Sequence, residues 1–202
     1  MGLTLAMLGD SIAYGQGASR PADTIGARLV ADLAAAGIAA ELRVLARPRA
    51  RSADLAAQVD RALAGGADIA VIIVGANDLT GFVPPQVAAA QLGAALATLR
   101  AAGTRTVVVP APDLSAVPWV PAQLRSLVRA GCAVLQQAQL QAARTAGARV
   151  AEVGGAAHRF ATDTSLFSAD RFHPSSAGYA VIAGQLRPAV EAAAAEALGS
   201  AA

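Results

Sequence analysis

Several residue types are scarce in this chain of 202 residues, and each scarcity excludes a kind of protein. The one cysteine, Cys132, cannot form an internal disulfide bond and has no second thiol with which to bind a metal ion. It falls in a helical pattern, where a free cysteine usually behaves as a small buried hydrophobe. We therefore expect no disulfide framework and no metal site built on this cysteine.

Lysine is absent, so all 16 basic residues are arginines, and with 14 acidic residues the formal net charge is only +2. Aromatic residues make up 3% of the chain. A nucleic-acid-binding protein typically gathers its basic residues on one face and interleaves them with aromatic side chains. We therefore expect no nucleic-acid partner. The arginines form one local cluster, at Arg43, Arg47, Arg49 and Arg51.

Long apolar runs are also missing, although 55% of the residues are hydrophobic. The longest strongly apolar run, 69–74, is far shorter than the roughly 20 residues that a membrane-spanning helix needs. The apolar run 3–8 has no basic residue before it and leads into Gly9-Asp10-Ser11 instead of a signal-peptide cleavage site. We expect no membrane span and, for the sequence as given, a cytoplasmic location.

Short apolar runs alternate along the chain with longer runs of helical periodicity. The short runs have the length and composition of β-strands, at 3–8, 41–46, 68–74, 105–110 and 149–153. Helical runs separate them, at 22–36, 52–64, 85–102 and 122–146. Strands that alternate with helices predict a parallel sheet with helices on both faces. The predicted fold is therefore an α/β, flavodoxin-like three-layer α/β/α sandwich with a five-stranded parallel sheet.

The last part of the chain is helical again, from 176 to 198, and Pro188 is expected to kink or split this helix. The alanine-rich end, 192–202, is expected to fray. Internal repeats and linkers are absent, so we expect one domain over 1–202.

Polar motifs follow the first and third predicted strands, where a parallel α/β sheet places its ligands. Ser11 emerges from a tight turn and could present its hydroxyl and its N–H together, although a serine after an aspartate is more often a turn or cap residue. Asn77, in Gly75-Ala76-Asn77-Asp78, is either a turn former or a donor to a developing oxyanion.

A third motif, Asp170-Arg171-Phe172-His173-Pro174, precedes the last helix. A carboxylate three residues before an imidazole can curl back to one ring nitrogen and leave the other free to take a proton from a serine. The other histidine, His158, has no such neighbour, and we expect it to lie on the surface or to pack passively.

In this order, the three motifs resemble those of the SGNH (GDSL-type) hydrolase superfamily, and the resemblance spans Gly9 to Tyr179. It implies that Ser11 is the nucleophile, His173 the general base and Asp170 the residue that orients it. It further implies that Asn77 and the Ser11 N–H donate hydrogen bonds to the oxyanion. No metal and no organic cofactor is implied.

The chain departs from this family at the loop after the second strand. The family has a glycine there whose N–H is a third oxyanion donor, and here Arg49 stands at that position. Any residue except proline has the N–H, but a side chain restricts the backbone conformation. The same loop carries Arg47, so the two arginines are candidates for binding an anionic group of the substrate, beside the alternative of a solvated loop.

The loop after the fourth strand contains the only tryptophan, Trp119, as either a wall for the acyl group or a packing residue. The expected function is that of a serine esterase or thioesterase that acts on a small acyl ester or thioester through an acyl-enzyme. Two alternatives remain open: an acyltransferase that passes the acyl group to a sugar or other hydroxyl, and a catalytically silent binding relative. The oligomeric state is not determined by the sequence.

Overall fold

The computed structural model describes residues 2–200, which include all motifs named above. Its centre is a sheet of five parallel strands in the order β2-β1-β3-β4-β5. The strands are β1 (Leu3–Gly9), β2 (Ala40–Val44), β3 (Ile69–Ile73), β4 (Arg105–Val109) and β5 (Arg149–Val150). The predicted five-stranded parallel sheet is confirmed, because each strand overlaps one of the five predicted apolar runs.

Eight α-helices connect and flank the strands in the described chain. Two are short and follow strands directly, α1 (Ser11–Tyr14) and α4 (Ala76–Thr80). The longer ones are α2 (Ile25–Ala35), α3 (Leu55–Ala64), α5 (Pro85–Ala101), α6 (Arg125–Ala146), α7 (Gly154–Thr162) and α8 (Ser176–Ser200). The sequence prediction did not include α1, α4 or α7. Helix α7 begins at two glycines, and Ala156 is its one buried residue.

The sheet has an apolar core on each face, which makes the molecule a three-layer sandwich. Strand β3 is buried along its whole length, and its residues alternate between the two cores. Ile69, Val71 and Ile73 pack with α2 and α8 on one face, and Ala70 and Ile72 pack with α3, α5 and α6 on the other. A strand buried on both faces is continuously apolar, which explains why 69–74 is the longest apolar run.

Two expectations about the last third of the chain were wrong, the length of the fifth strand and a split of the last helix. Strand β5 has two residues instead of the five in 149–153, because it pairs only with β4 at the edge of the sheet. Helix α8 is not split, since it runs from Ser176 to Ser200 with Pro188 inside it.

Helix α8 continues into the alanine-rich segment 192–202 that is expected to fray. Ala193 and Ala194 are fully buried in the core that α8 shares with α2, so packing holds the last turns. The remainder of the predicted frayed segment, 201–202, lies outside the described residues.

The carboxyl ends of the strands lie along one edge of the sheet, where all three sequence motifs are found. Gly9, which ends β1, has φ of 122°, and a Cβ there would lie 1.8 Å from the carbonyl oxygen of Ile73. Only glycine fits at this position, which lets the chain turn sharply from β1 into Asp10 and Ser11. Within residues 2–200, no helix is both long and apolar enough to cross a bilayer.

Candidate active site

Ser11 is the first residue of α1, and Asp10 connects it to the end of β1. The Asp10 carboxylate accepts a hydrogen bond from the N–H of Ile12 at 3.0 Å and so caps α1. The backbone before it is also held, because Gln58 accepts from the Gly9 N–H at 2.6 Å and donates to the Gly9 carbonyl at 3.0 Å. The sharp turn therefore presents the Ser11 side chain from a rigid backbone.

The structure brings Ser11, His173 and Asp170 into one chain of contacts. The Oγ of Ser11 lies 3.0 Å from Nε2 of His173, although the two residues are 162 positions apart. The Nδ1 of the same ring lies 2.6 Å from Oδ2 of Asp170. With a proton on Nδ1, the imidazole donates to the carboxylate and its Nε2 can accept the serine proton. Ser11 and His173 are both buried.

The loop before α8 holds the Asp170 carboxylate next to Nδ1 of the imidazole. Its Oδ1 accepts hydrogen bonds from the backbone N–H groups of Phe172 and His173 and from the Ser168 hydroxyl. Arg171 adopts a left-handed conformation, with φ of 57°, where the chain folds around this oxygen. Partial burial raises the pKa of Asp170, but the hydrogen bonds from His173, Phe172 and Ser168 lower it more, so the net pKa lies well below its usual range.

The loop that carries Arg49 is anchored beside the turn that carries Ser11. The Arg47 N–H donates to the Gly9 carbonyl at 3.1 Å, and the Asn77 side-chain amide donates to the Ala50 carbonyl at 3.0 Å. Asp78 accepts from the backbone N–H and the hydroxyl of Ser52. Asn77 and Asp78 of the second motif therefore fix the two ends of the short segment 50–52.

Arg49 itself has φ of 67°, a conformation that glycine adopts without strain. Among the hydrogen bonds of residues 2–200, none has the backbone N–H of Ser11 or Arg49 as its donor. Asn77 uses one amide hydrogen on Ala50 and has a second one. These N–H groups can donate to a negatively charged oxygen above Ser11.

A second carboxylate, that of Asp10, is fully buried next to Ser11. Its Oδ2 has no hydrogen-bond partner among the described residues. Burial raises the pKa of Asp10 to about 7, and the nearby charge of Asp78 adds to the increase. Asp10 is therefore partly protonated at neutral pH, in contrast to Asp170.

An apolar cavity of about 140 Å³ opens at Ser11 and extends beneath the loop after β4. The lining includes Ile73 of β3, Val109 of β4, Phe160 of α7 and Ile182 of α8. Val117 of the loop after β4 and Phe172 of the loop before α8 complete it. Apolar cavities of this size hold molecules of about six carbon atoms, such as benzene.

Trp119 is not among the lining residues of this cavity. The Trp119 ring is stacked on the Phe172 ring, with 5.9 Å between the ring centroids, and Trp119 remains 56% exposed. The Phe172 ring contacts the His173 ring edge-on, with 5.0 Å between their centroids. Phe172 therefore separates Trp119 from the cavity. Arg47 and Arg49 are exposed and also lie outside the cavity lining.

The model of the GDSL-like lipase/acylhydrolase family matches residues 7–181. The chain belongs to this family. A GDSL-like esterase of Mycobacterium tuberculosis is 34% identical over 184 residues, which are 89% of this chain and 59% of that protein. The chain thus spans less than two thirds of the length of this curated relative.

Solved structures share the fold of this GDSL-family chain. The structure of TesA has a TM-score of 0.80 and 19% identity, and the match covers 94% of this chain and 99% of that one. A putative SGNH hydrolase from Slackia heliotrinireducens has a TM-score of 0.71 and 25% identity, with coverage of 94% and 100%.

Sequence reasoning missed the carboxamide side chains that support the site. Gln139 of α6 accepts from the Ala111 N–H and donates to the Val74 carbonyl, so it joins the ends of β3 and β4 as Gln58 holds the end of β1. Both glutamines are fully buried, and their positions within helical patterns gave no signal of this contact.

The remaining predicted residues take passive positions. Cys132 is buried in α6, as expected, and burial raises the pKa of its thiol. His158 is exposed on α7. Over residues 2–200, no group of three or more histidine, cysteine or acidic side chains is arranged to hold a metal ion.

Proposed function

We propose that this GDSL-family chain is a serine esterase or thioesterase that acts through an acyl-enzyme. The observation that carries the proposal is the relay from Ser11 Oγ to His173 Nε2 and from His173 Nδ1 to Asp170, at 3.0 and 2.6 Å, beside an apolar cavity. A nucleophile within hydrogen-bond distance of a base, which is itself oriented by a third group, is the arrangement that activates serine.

In the first step, the Ser11 hydroxyl gives its proton to His173 and its oxygen attacks the carbonyl carbon of the ester. The backbone N–H groups of Ser11 and Arg49 and the free amide hydrogen of Asn77 stabilise the oxyanion. His173 then protonates the leaving oxygen or sulfur. Water enters and attacks the acyl carbon as the same nitrogen takes its proton. The bond from the acyl carbon to Ser11 Oγ then breaks, His173 returns the proton to Ser11, and a carboxylic acid is released.

The left-handed conformation of Arg49 supports an active enzyme over a silent relative. The notable sequence departure from the family was a side chain where a glycine donates its N–H. Because the backbone of Arg49 adopts the conformation open to glycine, its N–H remains free to donate.

The cavity favours a short acyl chain. A volume of about 140 Å³ accommodates roughly six carbon atoms, so we propose butyryl to hexanoyl groups as the preferred acyl part. Longer chains would have to leave the cavity and remain in water.

Labelling with a fluorophosphonate tests the nucleophile, because the reagent reacts only with an activated serine. We expect wild-type protein to be labelled at Ser11 and to hydrolyse p-nitrophenyl butyrate, and Ser11→Ala to lose both. The matched control is Ser165→Ala, which alters an exposed hydroxyl away from His173. The proposal would be contradicted if Ser11→Ala were labelled at the wild-type rate, or if the wild-type protein were not labelled.

Transfer of the acyl group to a sugar or other hydroxyl is a second candidate. The observation that favours it is Trp119, whose exposed ring lies next to Phe172 and can pack against an acceptor. Acylated product in the presence of sugar acceptors, lost in Trp119→Ala while hydrolysis continues, would support it.

A further inference from the structure

Two arginines lie on the side of the site opposite the acyl cavity. Arg47 and Arg49 follow β2, which is the neighbour of β1 on one side, whereas the cavity is built on β3 and β4 on the other. Ser11, at the end of β1, lies between them. A substrate with its acyl group in the cavity and its carbonyl carbon at Ser11 can therefore extend its leaving group toward these arginines.

The backbone presents the two arginines rigidly. Arg47 is bonded to Gly9 through its N–H, and Ala50, directly after Arg49, is bonded to Asn77. Arg49 keeps a left-handed conformation that a glycine would adopt without strain. Backbone strain of this kind clusters at functional sites.

Neither arginine has an acidic partner. In the part of the chain that the structure describes, no ion pair includes Arg47 or Arg49, and both are exposed. Two carboxylates bonded to the same loop are engaged elsewhere: Asp54 accepts from the Arg51 N–H, and Asp78 accepts from Ser52. The third arginine of the loop, Arg51, has its guanidinium against Gly81. The charges of Arg47 and Arg49 are therefore not neutralised by the protein.

We propose that Arg47 and Arg49 bind a phosphate group on the leaving group of the substrate, and that this chain prefers short acyl esters or thioesters of phosphorylated alcohols or thiols. The proposal rests on the esterase function proposed above. Guanidinium groups bind phosphate oxygens through paired, charge-assisted hydrogen bonds. In the reaction, the bond from the acyl carbon to the leaving oxygen or sulfur breaks as the bond to Ser11 Oγ forms. The phosphorylated alcohol or thiol departs with the proton that His173 took from Ser11.

Two matched substrate pairs test the preference and distinguish the sources of the phosphate. Butyryl-4′-phosphopantetheine is compared with butyryl-pantetheine, and butyryl-glycerol 3-phosphate with monobutyrin. Within a pair only the phosphorylated part differs, so the ratio of the two kcat/KM values measures its recognition. We expect a ratio of about 10 or more in at least one pair, and the pair that shows it identifies the carrier.

The substitution Arg49→Gly removes the guanidinium and keeps the backbone N–H in an unstrained conformation. We expect it, and separately Arg47→Gln, to lower the ratio about tenfold. Any change that the glycine makes at the oxyanion N–H acts on both substrates of a pair and cancels in the ratio. The wild-type ratio should also fall with ionic strength, because exposed charges are screened by salt. Arg61→Gln is the control, since Arg61 is an exposed arginine near the other end of α3.

A wild-type ratio near 1 in both pairs would overturn the proposal. So would equal losses on both members of a pair in Arg47→Gln and Arg49→Gly, because they would indicate a structural role in the loop. Failure of the esterase function itself looks different: wild-type protein would then hydrolyse neither the phosphorylated nor the neutral substrates and would not be labelled at Ser11.

Discussion

Two aspartates near the proposed nucleophile have opposite electrostatic environments. Asp170 receives four hydrogen bonds, which lower its pKa, whereas burial raises the pKa of Asp10 to about 7. The first is thus suited to remain charged against an imidazolium. Asp10 is the residue whose charged form burial destabilises.

Replacing Asp170 by asparagine should reduce kcat for p-nitrophenyl butyrate by about 10³ to 10⁴ and change KM little. An asparagine can donate to Nδ1, which would place the imidazole proton on Nε2 and leave no acceptor for Ser11. Asp163→Asn is the matched control, because Asp163 also accepts from the hydroxyl and N–H of a serine two residues on. An unchanged kcat in Asp170→Asn would remove this residue from the mechanism.

Asp10 should make the protein less stable as the pH rises from about 4 to about 7. In this interval the folded state binds a proton at Asp10 that the unfolded state, with its ordinary carboxyl pKa, has already lost, so raising the pH favours unfolding. Asp10→Asn removes this proton linkage and retains the helix cap. The free energy of unfolding of Asp10→Asn minus that of wild type should therefore increase between pH 5 and pH 8.

Urea unfolding at the two pH values measures this difference. Asp60→Asn, at an exposed aspartate of α3, is the control and should show no such increase. If the difference for Asp10→Asn were the same at both pH values, Asp10 would be charged throughout and the raised pKa would be wrong.

At the scale of elements, the strand ends are joined to the helices by buried carboxamides. Gln58 of α3 bonds to both backbone groups of Gly9, and Gln139 of α6 connects Val74 to Ala111. Asn77 of α4 makes the same kind of bond to Ala50. Gln58 and Gln139 each donate and accept, so they satisfy backbone groups that parallel pairing leaves open where the strands end.

Gln58→Leu should lower the free energy of unfolding by about 2 to 3 kcal/mol, because the Gly9 N–H would be buried without an acceptor. We also expect kcat to fall by more than the loss of folded protein explains, because Gly9 positions Ser11. Gln86→Leu, at an exposed glutamine of α5, is the control. Urea unfolding together with ester hydrolysis checks both effects, and wild-type stability in Gln58→Leu would show that this bond contributes nothing.

At the scale of the whole molecule, α8 connects the candidate site to the core. Its first turns follow His173, and the hydroxyl of the fully buried Tyr179 donates to the Gln16 carbonyl at 2.6 Å. Its last turns bury Ala193 and Ala194 against the α2 side of the sheet. The helix continues through Pro188 because packing along its length outweighs one lost hydrogen bond.

The adjacent alanines Ala194 and Ala195 offer a direct test of this packing, as the first is fully buried and the second is exposed. Ala194→Asp should destabilise the protein by about 3 kcal/mol or more, because it buries an unpaired charge. Ala195→Asp should change stability by about 0.5 kcal/mol or less. Thermal unfolding measures both, and equal melting temperatures for the two variants would mean that the end of α8 is not docked.

The sequence by itself determined the features that depend on neighbouring residues. Alternating apolar runs predicted the parallel sheet, and the three motifs predicted which residues gather at its carboxyl edge. The reason is that strand and helix periodicity, tight turns and the Asp170 to His173 contact all arise within a few positions of one another.

Only the tertiary structure decided the features that depend on residues far apart in the chain. Ser11 contacts His173 at a sequence separation of 162 residues, and Gln58 contacts Gly9 at a separation of 49. The conformation of Arg49 is set by bonds to Gly9 and Asn77 on either side of it, and the exclusion of Trp119 from the cavity is set by Phe172. Packing likewise kept α8 intact across Pro188, since burial energy is summed over contacts that local propensity does not contain.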